Sequence, residues 1–154
     1  PPEHSLKAGK VRPLALCVFR HEGRIFVAQG HDRTRDHTFY RPLGGRIEFG
    51  ERGAETVVRE LREEIDADIK VDRYLGLLEN IFTYEGQPGH EIVLVYEGHF
   101  LDPTILTRES VEGRDDDQPL FTAYWLPLTF FTAPAAPPLY PDGLLELLLT
   151  TSSE

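Results

Sequence analysis

Short apolar runs separated by turn residues occupy the first part of the chain, a pattern typical of β-strands. Two such runs, residues 11–19 and 25–29, flank His21-Glu22-Gly23, whose glycine suits a turn. We therefore predict that the two runs pair as a first hairpin. Residues 30–37 are polar and predict a loop, which leads into a short apolar strand at 39–43.

A helical period begins after Gly50. Apolar residues then recur every three or four positions and would form one stripe along a helix that starts near Gly53. The stripe comprises Ala54, Val57, Val58, Leu61 and Ile65. We predict that this helix buries the stripe against a sheet.

Two further β-rich runs follow the helix, at residues 71–84 and 91–101. The segment between them, residues 85–90, contains Gly and Pro and predicts a hairpin loop, so the two runs should be antiparallel neighbours. Residues 102–118 are polar and acidic, and residues 121–126 predict a last strand.

The C-terminal part is proline-rich at residues 134–141 and then rich in leucine. Asp142 stands between these stretches, and we predict that it is the N-cap of a short terminal helix. The order of strands, helix, strands and helix predicts an α/β (α+β) fold with helices packed on a mixed sheet. The length predicts one domain, residues 1–154, with a polar N-terminal segment at 1–10 that we expect to be flexible.

Acidic residues outnumber basic ones by 26 to 16, for a formal net charge of −10. This balance argues against a nucleic acid duplex as partner, because duplex binding needs a basic footprint. Small phosphorylated ligands are compatible if metal ions neutralise the repulsion. Cys17 is the sole cysteine, so no intrachain disulfide or cysteine zinc site is available, and we expect a cytoplasmic setting. No apolar stretch approaches the roughly 20 residues of a membrane span, so we expect no membrane partner.

Three glutamates of the predicted helix share one face. At 100° per residue, Glu60, Glu63 and Glu64 fall within an arc of about 100°. Like charges at this spacing weaken a helix, and a bound cation would relieve the repulsion. Magnesium prefers carboxylate oxygens and is commonly held jointly by protein carboxylates and substrate phosphates. On the helix alone a solvated face with ion pairs from Arg59 explains the acids equally well.

The residues before the helix favour a metal site over a solvated face. Gly44-Gly45 can bring the backbone close to a ligand. The chain has Gly45, then Glu51 after five intervening residues, and then Arg59-Glu60-Leu61-x-Glu63-Glu64 after seven more. This spacing resembles the signature of the Nudix hydrolase family, also called MutT-like. Asp66 and Ala67 depart from the signature, which usually has Gly and a larger aliphatic residue there. Asp tolerates a left-handed conformation, so we expect the site to be retained.

The resemblance implies an α/β/α sandwich in which the signature forms a loop-helix-loop that binds metal. It also implies an Mg²⁺-dependent hydrolase, with Mn²⁺ as a substitute, that cleaves a diphosphate linkage in a small nucleotide-like substrate. The implied metal ligands are Glu60, Glu63, Glu64 and the carbonyl of Gly45. Glu51 and Arg59 match supporting positions in the catalytic site.

The general base is left open by the resemblance. Glu60 is one candidate, and the family also uses a glutamate from a later loop, for which Glu112 is the nearest match. Four other loop acids compete with it: Glu109, Asp115, Asp116 and Asp117. For all five, the sequence favours a solvated surface loop over a catalytic role.

Basic and aromatic residues near the signature suggest substrate contacts. Arg41 and Arg46 could bind phosphate oxygens, as could Arg33 and Arg35 if these do not belong to an exposed loop. Phe39 and Tyr84 could stack on a base, although packing within the fold also explains such residues. Tyr40 and Phe82 are further aromatic candidates.

The substrate stays open at this point. A nucleotide sugar, a dinucleoside polyphosphate, ADP-ribose or a nucleoside triphosphate would each fit the resemblance, which also allows a homodimer. A Nudix-like domain that senses a nucleotide without turnover is the alternative from another class. It would usually lack some of the acids that this chain retains.

Overall fold

The computed structural model describes residues 9–115 and 120–152. Two α-helices lie in these ranges, α1 (Gly53–Ile65) and α2 (Leu144–Thr150), together with short 3₁₀ helices at Pro103–Thr107 and Leu128–Phe131. The strands of the described residues are β1 (Val11–Val18), β2 (Arg20–His21), β3 (Arg24–Asp32), β4 (His37–Arg41), β5 (Leu43–Arg46), β6 (Ile69–Tyr84), β7 (Gln87–Phe100), β8 (Ser110–Gly113) and β9 (Phe121–Pro127). Residues 1–8 lie outside the described ranges. They make up most of the N-terminal segment that we expect to be flexible.

The strands form two sheets. One has the order β5-β1-β7-β6 and is mixed, because β1 and β7 run parallel while the other pairs are antiparallel. The second contains β2, β3, β9 and β8 in that order, with β4 also paired to β3. The predicted first hairpin is therefore wrong for most of its length. Only Arg20 and His21 pair with the strand that follows them, whereas β1 pairs with β5 and β7.

Strand β1 occupies a central position because both of its faces are buried. Leu14, Leu16 and Val18 pack into one apolar cluster with Leu144 and Leu148 of α2. The alternate residues Ala15, Cys17 and Phe19 pack into a second cluster with Val57 and Leu61 of α1. Since successive side chains of a strand point to opposite faces, the two helices cover opposite sides of the strand. This arrangement confirms the expected α/β/α sandwich.

The two long strands after α1 confirm the predicted antiparallel pair, but their loop is shorter than residues 85–90. Only Glu85 and Gly86 form the turn, with φ of 50° and 83°. Positive φ at both central residues is the geometry that fits the twist of a two-residue hairpin. The segment at 30–37 is also more regular than predicted, because β3 continues to Asp32 and β4 begins at His37.

The terminal helix begins at Leu144, one residue later than an N-cap at Asp142 would place it. Gly143, with φ of 90°, is the N-cap of α2, and no side chain caps the helix there. Asp142 instead donates its backbone N–H to Asn80 Oδ1 at 3.0 Å. The prediction of Asp142 as cap is therefore wrong.

No helix in the described ranges is long and apolar enough to cross a bilayer.

A buried carboxylate joins the turn of β3–β4 to the turn of β6–β7. Asp32 is 1% exposed and accepts hydrogen bonds from the backbone N–H groups of Thr34, Arg35 and Glu85 at 3.0–3.2 Å. Arg33 pairs with the Glu85 carboxylate at 3.0 Å, which adds a second link between the two turns. We call these contacts of Asp32 and Arg33 the latch. Because the two hairpins belong to different sheets, this latch fixes the sheets relative to each other at one end.

We expect Asp32→Asn to lower the melting temperature at neutral pH, because an amide oxygen is a weaker acceptor than a carboxylate for these N–H groups. The hydrogen bonds, led by that from Glu85, hold the pKa of Asp32 below its usual value. A depressed pKa adds stability above the unfolded pKa of about 4 and loses it as the pH falls through the folded value. The difference in melting temperature should therefore shrink when both proteins are measured at progressively lower pH. Asp36→Asn, in the same turn but exposed, is the control, and an equal effect there would contradict the latch.

Candidate active site

A guanidinium holds the acidic residues around the start of α1. Arg59 donates from Nε to Glu51 Oε2 at 2.7 Å and from Nη2 to Glu51 Oε1 at 3.0 Å. Glu51 also accepts from the Thr56 hydroxyl at 2.8 Å. The hydrogen bond from Arg59 is the main cause that lowers the pKa of Glu51 to about 2. Glu51 is therefore a fixed anion that orients Arg59.

The other edge of the same guanidinium faces the predicted metal ligands. Arg59 Nη1 donates to Glu60 at 3.0 Å and to Glu63 at 3.2 Å. Arg59 Nη2 also donates to the carbonyl of Arg46 at 3.2 Å, which ties α1 to strand β5. The Arg59 guanidinium thus neutralises part of the acidic cluster and holds it against β5.

Gly44 allows β5 to lie close to β1, and Gly45 allows α1 to approach β5 closely. A Cβ on Gly45 would lie 2.4 Å from Glu60 Oε2, and a Cβ on Gly44 would lie 2.1 Å from the carbonyl oxygen of Ala15. Gly44 also has a φ of 152°, which side chains rarely adopt. Gly44 therefore requires glycine, because the backbone of β1 fills the space of a side chain, whereas a side chain at Gly45 would displace the Glu60 carboxylate.

Glu64 is the most enclosed of the three glutamates. It is 6% exposed, and its Oε1 has no hydrogen-bond partner among the described residues. Burial raises its pKa well above the usual value, and the charges of Glu60 and Asp115 add to the effect. Burial likewise raises the pKa of Glu60, against the opposing charge of Arg59. Glu63 differs, because its side chain is 59% exposed.

These residues open onto a cleft of about 840 Å³. Most of the residues predicted from the sequence line it: Phe39, Arg41, Gly45, Arg46, Arg59, Glu60, Glu63, Glu64 and Tyr84. Glu51 is not among the lining residues and lies behind Arg59. The cleft therefore brings the glutamates together with the basic and aromatic residues that were predicted separately.

Among the loop acids, Asp115 reaches the cleft and Glu112 does not. Glu112 is exposed on β8 between buried Val111 and Gly113, so it points to the opposite face from these neighbours. Asp115 lines the cleft. Its segment is anchored to the helix, because the Arg114 N–H donates to the carbonyl of Glu64 at 3.0 Å. Glu109 is exposed, and Asp116 and Asp117 lie outside the described residues.

The first departure from the signature has the expected conformation. Asp66 ends α1 with φ of 55° and ψ of 40°, in the left-handed region, and its N–H donates to the carbonyl of Arg62 at 3.0 Å. The helix therefore ends as it would with glycine. The position of the glutamates on α1 is retained.

Several cleft residues were missed by the sequence analysis. Arg12, Asn80, Glu91 and Tyr140 all line the cleft but come from β1, β6, β7 and the segment before α2. No local spacing signals them, because only the pairing of distant strands brings them together. Phe39 contacts Tyr140 and Tyr84 edge-on, with ring centroids 5.5 and 6.0 Å apart.

No three acidic, histidine or cysteine side chains within residues 9–115 and 120–152 already converge as a cation site. Glu60 and Glu63 are instead bonded to Arg59. The donors that could hold a cation are therefore carboxylates on one helical edge, of which Glu64 alone has a buried oxygen without a hydrogen bond.

Solved structures share this fold. The MutT NUDIX hydrolase from Burkholderia pseudomallei has 20% sequence identity and a TM-score of 0.64, over 92% of this chain and 99% of that one. The MutT protein from Methanosarcina mazei Go1 has 15% identity and a TM-score of 0.60, over 91% of both chains. An ADP-ribose pyrophosphatase from Streptococcus suis 89-1591 has 16% identity and a TM-score of 0.59, over 93% of this chain and 94% of that one. Residues 10–142 match the NUDIX domain, and the chain therefore belongs to the NUDIX domain family of hydrolases.

Proposed function

We propose that this protein is a divalent-metal-dependent pyrophosphohydrolase that cleaves the diphosphate linkage of a small nucleotide-like substrate. The observation that carries the proposal is one cleft of about 840 Å³ whose lining includes the three glutamates of α1, the arginines Arg41 and Arg46, and several aromatic rings. Carboxylates suit a hard cation, arginines suit phosphate oxygens, and aromatic faces suit a base. One substrate could use all three groups at once.

The glutamates fit Mg²⁺, or Mn²⁺ in its place, by the chemistry of their donors. Glu60, Glu63 and Glu64 supply carboxylate oxygens, and the Gly45 carbonyl is a further candidate ligand beside Glu60. The buried, unbonded oxygen of Glu64 is costly to keep ionised without a cation. When bound, the metal would neutralise the diphosphate and make water a better nucleophile.

The protein's own residues would do the positioning. Arg59, fixed by Glu51, orients Glu60 and Glu63. Arg41 and Arg46 line the cleft on the side of β4 and β5 and would contact phosphate oxygens. Asp115 is placed to add negative charge beside Glu60 and Glu64. Such placed charges usually supply most of the rate enhancement in this chemistry.

The proposal is tested with nucleotide sugars, dinucleoside polyphosphates, ADP-ribose and nucleoside triphosphates, each with Mg²⁺ or Mn²⁺. We expect metal-dependent release of a nucleotide from at least one class, measured by chromatography of the products. Excess chelator should stop the reaction. Full turnover in chelator, or no turnover of any substrate with either metal, would overturn the proposal.

We expect Glu64→Gln to lower kcat by about 100-fold or more, in the range known for loss of one stabilising group in an active site. The metal-free variant should be at least as stable as the parent, because the substitution removes a buried charge with an unbonded oxygen. The measurements are steady-state kinetics and thermal unfolding without metal. Glu146→Gln, on the exposed side of α2, is the matched control and should keep full activity. A fully active Glu64→Gln would remove this residue from the site.

The two loop acids give a second comparison. We expect Asp115→Asn to reduce kcat more than Glu112→Gln, because only Asp115 lines the cleft and raises the pKa of Glu64. Both changes preserve size and remove one charge, so their kinetics can be compared directly under the same metal concentration. A larger loss in Glu112→Gln would show that the loop rearranges to present that residue instead.

A further inference from the structure

Four carboxylates are buried among the described residues: Asp32, Glu64, Glu91 and Glu97. An ionised carboxylate is costly to bury unless its oxygens accept hydrogen bonds or pair with a cation. A buried carboxylate whose oxygens are fully bonded within the protein therefore indicates a structural role. One whose oxygens lack such partners indicates a role in binding.

Two of the four are well satisfied. Asp32 accepts three backbone N–H groups in the latch described above. Glu97 accepts from Arg73 at 2.8 and 3.0 Å and pairs with Arg20 at 3.2 Å. Arg20 also donates to the carbonyl of Thr151 at 2.8 Å, which holds the end of α2. Neither carboxylate lines the cleft, and the fold accounts for both.

The other two carboxylates line the cleft and are poorly satisfied. Glu64 has the unbonded oxygen that the proposed cation would use. Glu91 has a side chain only 7% exposed, yet its contacts with described residues are long. Asn80 Nδ2 lies 3.4 Å from Oε1, and Arg12 Nη1 lies 3.6 Å from Oε2. A carboxylate can accept several hydrogen bonds, so Glu91 retains capacity for donors from a ligand.

Strand register places Glu91 in a polar row. Arg12 of β1 pairs with Glu91 of β7, which pairs with Asn80 of β6, so the three side chains share one face of the sheet. The next row inward, on the same strands, is apolar and contains Leu14, Val93 and Leu78. Apolar residues in place of a buried ion pair are often as stable or more stable. Stability therefore does not account for the polar row.

Aromatic rings border this row. Phe82, two residues beyond Asn80 on β6, lies across Gly89, where a Cβ would be 2.3 Å from the ring. Tyr84 lies further along the same strand, and its ring is 6.0 Å from that of Phe39. All of these rings line the cleft. A flat heterocycle could therefore pack against an aromatic side chain while its edge reaches Glu91.

The chemistry of Glu91 selects among heterocycles. Arg12 already offsets its charge, so a second metal ion is not needed there. An ionised carboxylate only accepts hydrogen bonds, and its two oxygens suit an edge with two adjacent N–H donors. Guanine presents such an edge at N1–H and the 2-amino group. Adenine places an unprotonated ring nitrogen at N1, which would face the carboxylate unfavourably.

We propose that Glu91, positioned by Asn80, binds the N1–H and 2-amino edge of a guanine-type base in the cleft that Glu64 also lines. The inference rests on the proposed function, since it assigns the base of the nucleotide that would be cleaved there. Asn80 is a positioning residue: its amide donates to Glu91 while its Oδ1 accepts the N–H of Asp142.

The test uses nucleoside monophosphates, which contain no diphosphate linkage, and measures their binding by calorimetry without metal. We expect guanosine monophosphate to bind about tenfold or more tightly than adenosine monophosphate, as one good bidentate contact allows. Inosine monophosphate lacks the 2-amino group and should fall between them. Glu91→Gln should bring the guanosine-to-adenosine affinity ratio close to one. Equal or tighter binding of adenosine monophosphate, an unchanged ratio in Glu91→Gln, or no binding of any of the three would overturn the inference.

A matched control lies on the same strand. Glu97→Gln makes the same change at a buried carboxylate outside the cleft, and it should leave the affinity ratio unchanged even if stability falls. Glu64→Gln should lose hydrolysis and keep the ratio. Guanosine preference without any metal-dependent hydrolysis would sink the proposed function alone, whereas hydrolysis without guanosine preference would sink this inference alone.

Discussion

The acidic edge of α1 can be held against β5 because Arg59 lies among four glutamates. Glu51 fixes the guanidinium through two hydrogen bonds, and the guanidinium then contacts Glu60 and Glu63. Without this cation, the like charges would repel one another along the helix. The hydrogen bond from Arg59 to the Arg46 carbonyl holds the helix close to the strand, and the absence of a side chain at Gly45 leaves room for Glu60. Residues of both α1 and β5 therefore line the same cleft.

The buried carboxylates show how the chain divides folding from binding. Asp32 and Glu97 accept strong hydrogen bonds from groups that join distant segments, so their burial stabilises the arrangement of sheets and of α2. Glu64 and Glu91 are buried to a similar degree without equivalent partners. Since an under-satisfied buried charge lowers stability, its presence at a cleft is better explained by a ligand that completes its contacts.

The sequence made α1, its acidic face and the β6–β7 pair predictable because each depends on spacing within one segment. The left-handed Asp66 was predictable for the same reason, since a helix end places local demands on backbone conformation. Strand β1 was assigned the wrong partner because adjacent runs with a turn between them favour a hairpin. The deciding factor was burial of both its faces, which requires central placement between β5 and β7.

Dependence on spacing within one segment also explains which site residues could be predicted from the sequence. The glutamates proposed to bind the metal lie on one helix, so a short spacing reveals them. Arg12, Asn80 and Glu91 are far apart in the chain and meet only through the register of β1, β7 and β6. A shift of one residue in any of these pairings would turn its side chain to the opposite face and dissolve the row. A local motif can therefore reveal the acidic helix, while the row of Arg12, Glu91 and Asn80, which we propose to contact the base, depends on strand pairing that a local motif does not encode.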